Sequence, residues 1–175
     1  MTLAIPAGAA LWFLPFAAPI CLYVIWTDLT RMKIPNAAVA ALFATYALVG
    51  PIALPFDLYL SQWMNFVILL LAGFLLWYAG AMGAGDAKFI AVMAPFFTRA
   101  DAPLFLRLYI AVALAAVAVH RIALAIPASW KIAGEWESWK RQEGAESWLK
   151  STFPKGTVLG WLLITYLLLG AIYGS

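Results

Sequence analysis

The stretch "GAALWFLPFAAPICLYVIWTDLTRMKIPN" (8–36) decides the fold. Gly8–Trp26 is uninterrupted by charge and close to the ~20 residues a helix needs to span hydrocarbon. Asp28 is the first charged residue, with Arg31 and Lys33 close behind. The N-terminus therefore lacks the basic n-region of a signal peptide. Bulky Ile20 before Cys21 does not suit a lipoprotein site. The segment is expected to be a retained transmembrane helix, bent at Pro15 and Pro19.

The same apolar signature recurs along the chain. Of 175 residues, 66% are hydrophobic and only 11% charged, with a mean hydropathy of +0.92, far from the composition of a soluble domain. Further apolar stretches run over Asn36–Leu54, Trp63–Ala79, Ala87–Phe97, Pro103–Ile126 and Thr157–Tyr173. The expected fold is all-α: one polytopic membrane domain, 1–175, with about six transmembrane helices. Ala87–Phe97 is too short for a span unless it begins at Gly83 or is shielded by protein. A single cysteine excludes an internal disulfide and a Cys-x-x-Cys zinc site. His120 and Cys21 fall on different helices, so no metal is expected.

Charge alternates between connections. With six passes, one side collects Arg31, Lys33, Lys88, Arg121, Lys131, Lys140, Arg141, Lys150 and Lys155, and the other only Arg99 and Arg107. Basic residues concentrate on the cytoplasmic side of membrane proteins, so the first, third and fifth connections are expected there and both termini outside. The fifth connection, 127–155, is polar and tryptophan-rich. Trp136 and Trp139 share a helical face, "ESW" recurs at 137 and 146, and Gly134 and Gly144 punctuate it. An amphipathic helix resting in the membrane interface is expected, with substrate docking as the alternative.

Four aspartates are present. Asp57 and Asp101 fall in outer connections, where a solvated charge needs no explanation. Asp28 closes the first segment and Asp86 opens the fourth, within "AMGAGDAKFIAV" (81–92), so both lie at the cytoplasmic rim. Charge at that depth is costly unless it pairs, snorkels or lines a wet cavity. Two carboxylates brought together share one proton and titrate as a unit, which suits activation of water and protonation of a leaving group. Gly83 and Gly85 would let the chain bend and a substrate backbone approach. Pro35 gives a sharp exit after Asp28, and Asn36 is expected to cap the second helix. Lys88 lies about 200° around a helix from Asp86, pointing away from it, and snorkelling is its expected role. His120 either borders this site or sits at the interface.

"DLTRMKIPN" (28–36), "GAGDAKFIA" (83–91) and "FPKGTVLG" (153–160) together resemble the motifs of the type IV prepilin peptidases, which are intramembrane aspartyl proteases. The small size resembles the tight-adherence branch. The resemblance implies Asp28 and Asp86 as the catalytic pair, with Gly83, Gly85, Pro35, Asn36 and Lys88 contacting substrate. It implies removal of the basic leader of Flp-type prepilins, after a glycine, at the cytoplasmic face of the bacterial inner membrane. Larger relatives add a cytoplasmic segment with paired cysteines and methylate the new N-terminus. This chain lacks those cysteines, so the resemblance implies a peptidase alone, without cofactor or metal. The implied partners are prepilin and membrane lipid, not nucleic acid. Lys155 departs from the pattern, which has an aromatic residue there.

Three rival readings stay open. A proton-coupled transporter would place its carboxylates near midplane and show a repeat. A noncatalytic scaffold of a secretion machine would use the aspartates as caps. Another Gly-x-Gly-Asp protease, of the presenilin kind, would have Tyr before its first aspartate, where this chain has Thr27.

The charge asymmetry predicts that positions 33, 88 and 140 face the cytoplasm. Single cysteines placed there, in a variant lacking Cys21, should resist an impermeant thiol reagent in sealed cells. Strong labelling at 88 or 140 would overturn this topology.

Overall fold

A computed structural model describes residues 2–143 and 153–175. The second "ESW", Gly144 and Lys150 lie outside the described residues, as does the side chain of Arg141. The described chain is helical: α1 (Ala7–Arg31), α2 (Asn36–Ala53), α3 (Phe56–Tyr78), α4 (Ala84–Met93), α5 (Ala102–Ala125), α6 (Pro127–Ala133), α7 (Glu137–Glu143) and α8 (Lys155–Tyr173). Five of these, α1, α2, α3, α5 and α8, are long and apolar enough to cross a membrane.

α4 is the exception among the expected spans. α4 and the 3-10 turn Ala94–Phe96 together rise only roughly 20 Å, short of the ~30 Å hydrocarbon core. Protein shields them. Phe89 and every residue from Ala91 to Phe97 are buried, against α3, α2 and α8. The helix starts at Ala84, right after Gly83, earlier than the apolar run alone indicates. α1 stays helical through Pro15 and Pro19.

The α1–α8 pair forms the centre of the bundle. It depends on glycine in α8. A Cβ at Gly160 would stand 3.0 Å from the carbonyl oxygen of Cys21 and 2.7 Å from Ile25 Cγ1. Only a residue without a side chain permits that approach. In a membrane, close van der Waals contact replaces the hydrophobic effect as the force between helices. Aromatic packing joins the next layer, where Phe13, Tyr46 and Phe96 meet edge-on or stacked.

One end of the bundle is closed by the chain termini. Leu3 N–H donates to Tyr173 O and Ser175 N–H to Leu3 O. Asp101 holds this end together, and it is not the solvated charge its sequence position suggests. It is only 6% exposed. Its Oδ1 accepts from Ala4 N–H at 2.9 Å, and its Oδ2 from Ile5 N–H at 3.3 Å and Tyr166 O–H at 2.8 Å. The carboxylate supplies partners for backbone donors that precede α1 and would otherwise be buried unpaired. Asp57 does remain exposed, in the first turn of α3.

Replacing Asp101 by Ala should lower stability by about 3 kcal/mol, because it removes the acceptor of three buried or partly buried donors. Asp57→Ala should cost less than about 1 kcal/mol, the scale of a helix-dipole effect. Thermal unfolding of purified protein in one detergent would check the contrast. Equal midpoints for the two variants would contradict it.

Candidate active site

The end of the bundle opposite the termini gathers the last turn of α1, the first turn of α4 and the first turn of α8. α1 continues past Asp28 to Arg31, so Asp28 lies inside the helix rather than closing it. The helix stops at Met32, whose φ of 52° is left-handed and whose N–H bonds to Asp28 O at 2.9 Å. That conformation costs a non-glycine residue about 1 kcal/mol. It reverses the chain sharply into Lys33, Ile34 and Pro35. Pro35, not Asn36, occupies the N-cap of α2, without a side-chain hydrogen bond. Asn36 is instead the first helical residue, and its Oδ1 accepts from Lys88 Nζ at 3.3 Å on the exposed side. Lys88 is thus turned toward α2 and solvent, as its angular offset from Asp86 predicts.

Asp28 is 4% exposed. Its Oδ2 accepts from the Thr157 N–H at 3.2 Å, and the Gly156 N–H also faces the carboxylate. These are first-turn donors of α8, which lack intrahelical partners. α8 has Pro154 at its N-cap and no side-chain cap of its own. The cap comes from α1, and the positive end of the helix dipole stabilises the carboxylate's charge. Close approach again requires glycine, since a Cβ at Gly156 would lie 2.9 Å from Asp28 Oδ2 and 3.0 Å from Ile34 Cδ1.

Asp86 sits in the first turn of α4 and is half-buried. Its carboxylate lies beside Gly83, where an added Cβ would be 3.2 Å from Oδ2. Lys155, the first residue of α8, acts on it electrostatically, and so does Asp86 on Asp28. Both carboxylates therefore converge on the start of α8: one on its N–H groups, the other beside its lysine. Gly85 faces Ile34, where an added Cβ would be 3.4 Å from Ile34 Cβ. Gly83 is exposed at the mouth of the site beside Asp86 Oδ2.

Among its described residues the fifth connection folds over this end as two short helices, α6 and α7, with a break at Gly134–Trp136. α7 packs on α1, where Ser138 Oγ donates to Leu29 O at 2.6 Å. Trp139 is buried, and Trp136 meets Trp26 edge-on at 5.4 Å. His120 is also buried, edge-on to Trp139 at 4.7 Å and to Phe153 at 5.6 Å. All three border a hollow of about 510 Å³ beside Leu29 and Thr157. No group of three or more His, Cys, Asp or Glu side chains suited to a metal occurs among the described residues.

The donors of Gly156 and Thr157, the charge of Lys155 and the wedge of Ile34 are parts of the site that motif reading alone does not single out. Their signal was the third stretch, "FPKGTVLG", where Pro and Gly lead into a helix. The model of the type IV leader peptidase family matches residues 15–120. That is more than half of the chain and contains both aspartates. No curated protein and no solved structure matches.

The geometry at Gly156 generates a specific expectation. Gly156→Val should displace the Asp28 carboxylate and reduce activity roughly a hundredfold, the scale of an ångström-level misplacement. Gly8→Val, where nothing lies within 4 Å of the added Cβ, should be tolerated. Matched-level assays of proteolysis in membranes check this. Full activity in Gly156→Val would show that the contact does not position Asp28.

Proposed function

We propose that this chain, which belongs to the type IV leader peptidase family, is an aspartic endopeptidase whose catalytic pair is Asp28 and Asp86. Its substrates are Flp-type prepilins. It removes their basic leader after a glycine at the cytoplasmic face of the bacterial inner membrane. The observation that carries this reading is the convergence of two carboxylates on the start of α8: Asp28 bonded to its first turn, and Asp86 lining the same hollow as Lys155 and acting on Asp28 electrostatically.

The chemistry follows from the pair. Two close carboxylates in a water-poor setting hold a single proton between them. The ionised member takes a proton from a water molecule, and the oxygen attacks the scissile carbonyl. The protonated member donates to the carbonyl oxygen. Collapse of the tetrahedral intermediate releases the new amine, which takes up a proton. The N–H donors of Gly156 and Thr157 keep Asp28 oriented throughout. Exposed Gly83 would admit the extended substrate backbone beside Asp86. Gly85, Pro35, Asn36 and Lys88 would shape the approach from the α1–α2 turn.

Both carboxylates lie at one end of the bundle, which favours a peptidase over a transporter with acidic groups at midplane. The scaffold reading explains Asp28, which does cap α8. It accounts for Asp86 only as a first-turn charge of α4, not for its meeting Asp28 beside Lys155.

Asparagine matches the shape of aspartate but cannot exchange protons in this way. Asp28→Asn and Asp86→Asn should each lower prepilin cleavage by on the order of a thousandfold or more while the protein still inserts. The double variant should be no worse than either single one, since the two groups act as a unit. Leader removal is read by mass shift of the co-expressed precursor at matched enzyme levels. Substantial cleavage by the Asp86→Asn protein would refute the two-aspartate mechanism.

A further inference from the structure

A lateral groove of about 830 Å³ lies between α3 and α5, floored by α4 and α8. Its α5 wall runs from Ala102 to Val117, about 22 Å at the helical rise, and its α3 wall from Asn65 to Leu76, about 16 Å. Both walls follow helices that suit a membrane crossing, so the groove runs across the bilayer rather than along its surface. Its sides are almost wholly apolar. The charged residues that line it sit at its two ends: Asp86 and Lys155 at one, Arg99 at the other. Arg99 is tied down there by Asn65 Oδ1 at 2.8 Å.

We propose that this groove docks an apolar helical segment of the precursor, delivering the peptide bond just beyond that segment's end to the two aspartates. The inference rests on the peptidase reading and adds where the uncut part of the substrate binds.

Two observations select a helix as occupant. The groove is continuous with the catalytic end, because Asp86 itself forms its terminus. Whatever fills it is therefore held in register with the dyad. Its walls also offer almost no hydrogen-bonding groups between the ends. An extended peptide there would leave its own N–H and C=O groups unpaired, at several kcal/mol each. A helix satisfies them internally. Only past Asp86, where polar groups and Gly83 are available, does an extended backbone become tolerable. The α5 wall is ready for a partner, since none of its most apolar 18-residue window is buried within the protein.

The test compares two substrates of one Flp-type prepilin: the full precursor, and a short peptide that keeps the leader and the cut but ends before the apolar segment. Ala113→Trp and Ala72→Trp fill the groove from opposite walls. Each should lower the ratio of precursor to peptide cleavage by on the order of a hundredfold. Leu114→Trp, on the lipid-facing side of α5, should leave that ratio unchanged. In a Cys21→Ser background, a cysteine at position 113 should cross-link to precursor cysteines with a helical period of three to four. Unchanged ratios together with no cross-link would overturn the proposal and leave the groove to lipid. If the wild type cuts neither substrate, the peptidase reading falls, and the cross-linking still decides the groove.

Discussion

The structure depends on one interaction: the carboxylate of Asp28, near the end of α1, caps the first turn of α8. Oδ2 accepts the Thr157 N–H at 3.2 Å, and Gly156 leaves room for it. The bond locks two helices that are adjacent in space and distant in sequence. It places the positive end of a helix dipole on a buried negative charge. That charge would be prohibitively costly alone at this depth. In the proposed mechanism the second carboxylate acts beside this contact. Asp86 approaches from α4, beside Lys155. The structural role and the proposed chemical role thus fall on one carboxylate, and a change that loosens α8 would also disturb the proposed chemistry.

The two ends of the bundle solve the same problem differently. At the termini, Asp101 pairs with three donors and leaves little of its acceptor capacity unused. At the other end Asp28 is anchored through Oδ2, and Asp86 is only half-buried. A carboxylate whose bonds are filled holds a fold. One that keeps acceptor capacity beside a second carboxylate can exchange a proton.

Much of this was legible from residues alone, for physical reasons. Apolar runs near 20 residues mark spans because the bilayer has a fixed thickness. The pair Asp28 and Asp86 stood out because charge is rare in such runs. Asp101 was misread as a solvated charge. Its partners, Ala4 and Ile5, are nearly a hundred positions away, and backbone N–H groups carry no letter in a sequence. The cap on α8 was hidden for the same reason. Asn36 looked like a cap because its residue type favours one, yet Lys88 takes its side chain and Pro35 occupies the N-cap. The shortness of the fourth apolar stretch was visible as an anomaly of length. Its explanation, burial against α2, α3 and α8, belongs to tertiary packing.

The central claim is that Asp28 and Asp86 meet at the start of α8. Paired cysteines test it directly in native membranes. In a Cys21→Ser background, an Asp28→Cys/Asp86→Cys protein is treated with a short bifunctional thiol reagent. An Asp28→Cys/Thr157→Cys protein reports the α1–α8 contact in parallel. The account predicts an intramolecular cross-link in both. Efficient linking of 28 to 157, with none between 28 and 86, would contradict it.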